Sequence, residues 1–466
     1  MYTLNLQTGD DSLQEIYNIL AGSIRTIRDN MNDGELQKFN DIASSVIIDY
    51  KKHISKAVHK LFDDELNSRI LMLSDLAEIE IPLISFMDKC NKEHEYELML
   101  MTVRSVDSSL YRILRNERNK AFSMGERLPL NNNYDEYGIK LFPRVTCDWE
   151  RKSRGRNTNI RLDNYLDNLL MIDYKSVKEN YKDKHFFIET KLDFNNKYTF
   201  VTVPYSNQWN QKINYINDKK YNLMHIEYTG NKDKDTKLVE EKMIQASGRS
   251  VLIFPEVHGY KGQDKKISEY LLAESIEQLP LITVLPSYWN DRKNAVSILD
   301  EFGEIISSQI KYIPYEMEYK GVNYIEDLEI IDKELSIIHC EGMGRIAVLI
   351  CRDFLERNYI RDIISLYKLT MIIVPSFSTG SYDFLENAEI CNDLNCCVLW
   401  VNSCAAYSDD RKDNFKTISF FTKPKVRNIV GVNSDNEYKK EPCEDISSCN
   451  ECDKECMFEY QIQVEK

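Results

Sequence analysis

The sequence predicts an α/β fold over residues 196–430, preceded by a mostly α-helical domain over residues 1–125. Three observations carry this. Between residue 10 and about residue 120, apolar side chains recur at three- and four-residue steps, the period of one helix face. From Tyr198 onward, short apolar runs alternate with helical patterns, as strands interleaved with helices do. Two of those runs, Val251 to Phe254 and Ile346 to Ile350, are closely followed by the reactive residues Glu256 and Cys351. Open α/β sheets build their sites at such strand ends.

The helical region is read from Leu13, Ile16, Leu20, Ile24 and Ile27, and from Met99, Val103, Val106, Leu110 and Leu114. Phe39, Ile42, Val46, Ile54, Val58 and Leu61 mark another helix after the Asp33-Gly34 break. Together they predict an antiparallel bundle whose stripes are core. Residues 126–195 read as an irregular basic connector, with loops at Asn131-Asn132-Asn133 and Arg151 to Arg161 and a short helix from Leu162 to Ile172. The basic run beside Trp149 suits phosphates and stacked bases. On so acidic a chain, a solvated loop or a face docking onto an acidic domain is the favoured reading.

The α/β region begins with a strand at Tyr198 to Val203, a helix at Lys237 to Ser247 and a strand at Val251 to Pro255. A helix at Lys266 to Glu277 leads to strands at Leu281 to Leu285, Ala295 to Leu299 and Glu304 to Ile310. Beyond Cys351 come a helix at Tyr359 to Tyr367, a strand at Met371 to Val374, a helix at Tyr382 to Leu394 and a strand at Cys397 to Asn402.

Composition bounds the function. A chain of 466 residues exceeds one compact domain, and 42% hydrophobic residues suffice for real cores. A net charge of −15 argues against wholesale nucleic-acid binding. No apolar run approaches the roughly 20 residues of a membrane helix. The start, MYTLNLQTGDDSLQE, lacks a basic, then apolar, secretory pattern, so the expected location is the cytoplasm. Most of the twelve cysteines are then expected to be reduced.

Five segments in order resemble the nitrilase, or carbon–nitrogen hydrolase, superfamily. They are Phe254-Pro255-Glu256, Leu299 to Gly303 leading to Lys311, Leu349-Ile350-Cys351-Arg352-Asp353, MIIVPSFSTGS from Met371, and CVLWVNSC ending near Asn402. The resemblance spans about residues 196–425. It implies a four-layer αββα sandwich, assembly into dimers or larger homo-oligomers, and no cofactor for catalysis. It also implies roles: Glu256 as general base, Cys351 as nucleophile, and Lys311 with the Arg352 amide as oxyanion donors. A second glutamate beyond the lysine is matched by Glu318, with Glu316 as the alternative.

The residues suit those roles chemically. A carboxylate takes the thiol proton, the thiolate attacks carbon, and an ammonium offsets the developing negative charge. The competing reading of Cys351 is an inert core thiol, as expected for Cys340, Cys391, Cys396 and Cys397. Glu256 and Lys311 have bland readings too, as a solvated loop acid and a strand-edge lysine. Arg352 is expected either to lower the thiol pKa or to recognise an acidic substrate. His258 is read as a loop histidine.

Residues 431–466 read as a cysteine-rich tail. Cys443, Cys449, Cys452 and Cys456 place four thiols within fourteen residues, which favours a structural zinc site. An iron–sulfur site and a mobile acidic tail are the alternatives. A chain ending before Pro442 is expected to keep the hydrolase chemistry.

The expected function is hydrolysis of a small-molecule amide, in preference to a nitrile, through a thioester. The alternative is a nitrilase-fold interaction or sensor subunit, for example in a nucleic-acid-associated bacterial defence system. A protein partner bound through the helical domain would fit that reading. No membrane association is expected.

Overall fold

The computed structural model of the chain describes residues 11–30, 52, 95–109, 138–150, 166–176, 181–188, 197–205, 211–217, 221–274, 278–329, 333–407, 413–424, 429–430, 437–440 and 456–464. It is a mixed α/β structure of two compact units. One comprises residues 1–145 and 152–178, the other residues 146–151 and 179–466.

In the first unit, helix α1 (Asp11–Asn30) buries Leu20, Ile24 and Ile27, and α2 (Glu95–Ser109) buries Leu100, Val103 and Val106. The expected helix from Phe39 to Leu61 lies outside the described residues, Lys52 apart. Strands β1 (Ile139–Pro143) and β2 (Leu169–Asp173) pair antiparallel. The end of the helix expected from Leu162 to Ile172 is therefore strand. Asp107 fixes its start, accepting hydrogen bonds from the backbone N–H of Asp167 (2.7 Å), Asn168 (3.1 Å) and Leu169 (2.8 Å). Those bonds satisfy amides that a helix would have turned inward.

The second unit holds two large sheets and one small one. The first sheet contains β4 (Lys197–Thr202), β7 (Val251–Ile253), β8 (Ile282–Val284), β9 (Tyr288–Asn290), β10 (Lys293–Asp300), β11 (Ile305–Ile310), β19 (Ile429–Val430) and β21 (Phe458–Val464). Its order is β11-β10-β8-β7-β4-β21-β19, with β9 paired to β10. The second contains β3 (Lys182–Ile188), β14 (Glu334–Cys340), β15 (Gly344–Val348), β16 (Met371–Pro375), β17 (Cys397–Val401), β18 (Ser419–Thr422) and β20 (Glu437–Lys440), ordered β20-β18-β17-β16-β15-β14-β3. The small sheet has β5 (Gln211–Asn217), β6 (Asn222–Tyr228), β12 (Glu316–Tyr319) and β13 (Val322–Glu326), ordered β12-β13-β6-β5.

Strands β4, β7 and β8 are parallel, as are β15, β16 and β17. Covered on both faces, they read as continuous apolar runs. Helices α3 (Lys232–Gln245) and α4 (Gln263–Ala273) seal the first sheet, where Val239, Met243, Ile267 and Leu271 join Leu252 and Phe254 in one core. Helices α5 (Arg357–Tyr367) and α6 (Tyr382–Asp393) cover the second, with Phe384 packed on Trp400. The large sheets meet through stacked Phe200 and Phe421 and a Thr202–Ser419 hydroxyl bond of 2.7 Å. The layers thus run helix, sheet, sheet, helix.

Two sequence expectations are corrected, and the disfavoured base-stacking reading of Trp149 falls away. Lys182–Ile188, within the expected connector, is strand β3 and pairs along its whole length with β14. Phe458–Val464, within the expected tail, is β21, held between β4 and β19. Tyr460, Ile462 and Val464 are buried at alternate positions, so a chain ending before Pro442 loses a sheet strand. Trp149 offers no surface for a base: it is fully buried, meets Tyr198 edge-on at 5.1 Å, and donates to the Thr370 carbonyl at 3.4 Å. Its neighbours Arg151 to Arg161 lie outside the described residues.

Candidate active site

Glu256 leaves the end of β7 and turns inward, with only 2% of its surface exposed. Its Oε1 accepts from Asn294 Nδ2 on β10 and from Lys311 Nζ, each at 2.8 Å. Its Oε2 accepts from the Phe377 backbone N–H at 3.0 Å. Lys311 follows β11, and its own N–H is anchored on the Asn294 carbonyl at 2.8 Å. Asn294 of β10 therefore fixes carboxylate and ammonium relative to each other, one through its side chain and the other through its backbone carbonyl.

Cys351 sits where β15's apolar run gives way to a single 3-10 turn, Cys351–Leu355. The preceding Ile350 is extended, while Cys351 itself has φ +45°. That left-handed conformation is costly for a residue with a Cβ and recurs where a nucleophile is thrust out of a strand-to-helix turn. Its Sγ lies 4.0 Å from the Phe377 carbonyl oxygen and close enough to Glu256 for direct electrostatic contact. Arg352 follows in the first turn, where helical N–H groups have no partner within the turn.

Phe377 thus touches Glu256 through its N–H and the thiol through its carbonyl. Asn402, at the end of β17, steadies this loop by a reciprocal pair: its Oδ1 accepts from Ser378 N–H at 2.8 Å and its Nδ2 donates to Ser378 O at 2.7 Å. Asp353 joins the other two segments. Its carboxylate accepts from the N–H groups of Tyr312 (3.1 Å) and Ile313 (2.8 Å), tying the chain after Lys311 to the cysteine turn.

The charges are strongly coupled. Burial pushes the Cys351 thiol well above its ordinary pKa, Glu256 adds to this, and Lys311 opposes it. Burial disfavours the Lys311 ammonium, yet Glu256 and Glu326 outweigh that and hold it well above the usual lysine range. Burial raises Glu326, and Lys311 draws it back only partly because Glu256 is near. One ammonium cannot compensate two buried carboxylates. Burial raises Asp353 to about 7 against the pull of the Ile313 N–H.

Glu326 is the residue the sequence reading missed. Its Oε2 lies 2.7 Å from Lys311 Nζ and accepts from Tyr315 N–H at 2.9 Å. Glu318, expected in this position, is exposed on β12 opposite Asn323, and Glu316 is exposed as well. The turn at Lys320-Gly321 explains the error. Both residues have positive φ (+53° and +76°), the two-residue turn that closes a tight hairpin. That hairpin returns the chain to Lys311 and delivers Glu326 instead. A lysine-glycine pair between strand-like segments was the available signal.

Arg352 does not set the thiol's state. It is partly exposed and lies 3.9 Å from Glu356, and burial, Glu256 and Lys311 dominate the sulfur. His258 is fully buried rather than in an open loop; its Nε2 meets Ser403 Oγ at 2.6 Å, and burial holds its pKa down at about 3. Of the tail cysteines, Cys443, Cys449 and Cys452 lie outside the described residues, while Cys456 is partly buried just ahead of β21. Among the described residues, no three His, Cys, Asp or Glu side chains gather as metal ligands. No described helix is long and apolar enough to cross a membrane.

A comparison with protein-family models finds no match. A comparison with curated proteins finds none either. Among solved structures, the chain is similar to members of the nitrilase superfamily over about half its length. One is a mutant amidase from Nesterenkonia sp. AN1, with the acetamide moiety of fluoroacetamide covalently added at its active-site cysteine. It is 13% identical, with a TM-score of 0.36, covering 54% of this chain and 93% of that one. Nit3 of Saccharomyces cerevisiae, a member of branch 10 of the superfamily, is 17% identical, with a TM-score of 0.33 and coverage of 54% and 93%. The C. elegans NitFhit protein is 12% identical, with a TM-score of 0.35 and coverage of 55% and 62%.

Proposed function

We propose that the second unit is a carbon–nitrogen hydrolase, an amidase in preference to a nitrilase, working through a cysteine thioester. One observation carries this reading: Lys311 Nζ bridges buried Glu256 and Glu326 while Glu256 faces the Cys351 thiol. Glu256 takes the thiol proton as Sγ attacks the amide carbon and the carbonyl electron pair moves to oxygen. Lys311 and the Arg352 N–H offset that charge. Collapse expels the amine, which takes the proton from Glu256 and leaves a thioester. Glu256 then deprotonates a water that attacks the thioester, releasing a carboxylic acid and restoring the thiol. Glu326 orients Lys311, while Glu318, exposed on β12, does not reach it.

The raised thiol pKa favours a base-coupled attack over a standing thiolate, because proton removal and carbon–sulfur bond formation then proceed together. A thiol-directed activity probe followed by peptide mass spectrometry tests the reading. Labelling at Cys351 that is lost in Glu256→Gln is expected. Labelling spread evenly over the buried cysteines would sink it.

A second reading, an interaction or sensor subunit, is favoured by the small sheet, which exposes Ile216, Tyr319 and Val322. Light scattering before and after substitution of Tyr319 and Val322 by serine separates self-association through this sheet from a purely catalytic role.

A further inference from the structure

Two buried polar atoms beside the site have no hydrogen-bond partner among the described residues: Asn294 Oδ1 and Trp289 Nε1. They belong together. Trp289 and Asn294 are directly opposed in the antiparallel β9–β10 ladder, and opposed residues place their side chains on the same face. The Asn294 side chain identifies that face, since its Nδ2 donates to Glu256 Oε1 at 2.8 Å. The next pair, Tyr288 and Ala295, takes the other face: Tyr288 meets Ser297, whose hydroxyl bonds Asp264 of α4. The Trp289 indole is met edge-on by His225 of β6, with ring centroids 5.4 Å apart.

An unpaired buried N–H or carbonyl is expensive, and native proteins leave few such groups without a water or ligand to satisfy them. Here one donor and one acceptor share a face with the carboxylate at the centre of the proposed chemistry. The geometry points to Trp289 and Asn294 as substrate-recognition residues, with the Trp289 N–H donating to an oxygen and Asn294 Oδ1 accepting an N–H of a second carboxamide on the substrate. A neutral group fits better than a carboxylate, because Glu256 and Glu326 already share one ammonium. This rests on the hydrolase reading and names its substrate class: small diamides over amides with a plain alkyl chain.

The test uses the full chain. In Cys351→Ala protein carrying 15N-indole tryptophan, the four tryptophans give four N–H signals, and the one lost in Trp289→Phe is assigned to Trp289. Succinamide should shift that signal saturably, and butyramide should leave it in place. With unsubstituted protein, ammonia release should give a kcat/KM for succinamide at least tenfold above that for butyramide. Trp289→Phe keeps the ring but not the N–H, and should lower the succinamide value about tenfold while sparing butyramide. A signal unmoved by succinamide, or moved equally by both amides, overturns the recognition. So does a Trp289→Phe loss shared equally by both. An unmoved indole with butyramide hydrolysed leaves the hydrolase reading intact. A shifted indole with no ammonia released supports the recognition and overturns the hydrolase reading.

Discussion

Lys311 Nζ lies 2.7 Å from Glu326 Oε2, inside a site where both side chains are only 2% exposed. A hairpin that reads as surface thus carries a carboxylate into the interior. Buried charges hold together only while every partner is present, and removing one leaves another uncompensated. The Glu256–Lys311–Glu326 row is therefore a single electrostatic unit, with the thiol at its Glu256 end.

Glu326→Gln should lower kcat by roughly ten- to a hundredfold, because Lys311 then leans wholly on Glu256 and competes with the thiol proton for that base. Glu318→Gln should leave kcat unchanged. Steady-state ammonia release from both variants decides between the two glutamates, and the reverse order would return the role to Glu318. Lys311→Ala and Glu256→Gln should each cost on the order of a hundredfold or more.

Cys351→Ala should abolish turnover and keep the fold, since only the attacking atom is lost. Alanine retains the Cβ in the left-handed turn at φ +45°. Cys351→Gly relieves that strain, and a gain of about 1 kcal/mol over alanine is expected. Thermal melts of the two inactive variants measure it. A glycine variant clearly less stable than alanine would mean the turn stores no strain.

Much of the site is legible in the sequence because parallel strands are apolar throughout, so a polar residue just past such a run stands out. Glu256 and Cys351 are of this kind. Lys311 is found only by its order between them, since β11 mixes exposed and buried positions. Glu326 is hidden because β12 is exposed along nearly its whole length and gives no alternation to set the register. Asn294 and Asp353 matter through hydrogen bonds to residues distant in sequence, which no local pattern encodes. Strand β21 did carry the signal, with Phe458, Tyr460, Ile462 and Val464 alternating, but it follows directly on the cysteine-rich string.

Asp353 gives a pH signature. Its pKa is raised from 3.8 to about 7 by burial, so between those values the folded chain keeps a proton that the unfolded chain has released. Its contribution is fully present below pH 4 and is lost as pH rises through about 7. Asp353→Asn keeps an oxygen for the Tyr312 and Ile313 amides and cannot ionise. Unfolding free energy, compared between the two proteins from pH 4 to 7, should differ in slope by up to about 1.4 kcal/mol per pH unit. Parallel curves would show that Asp353 is charged throughout.

The tail cysteines are expected to hold about one zinc per chain, because four thiols so close in sequence can supply a tetrahedral set. Truncation is the wrong test, since the chain beyond Pro442 includes β21, paired with β4 along Phe458 to Gln463. Cys449→Ser with Cys452→Ser removes two ligands and spares that strand. Elemental analysis of protein purified without added metal should then fall from about one zinc to none. Amide turnover should persist, because Glu256, Lys311 and Cys351 lie in other segments and the proposed steps pass no proton or electron pair through a metal. Equal metal content in both proteins would leave the four thiols without a structural role. Loss of zinc together with loss of turnover, while the melting temperature holds, would instead tie the tail to the site.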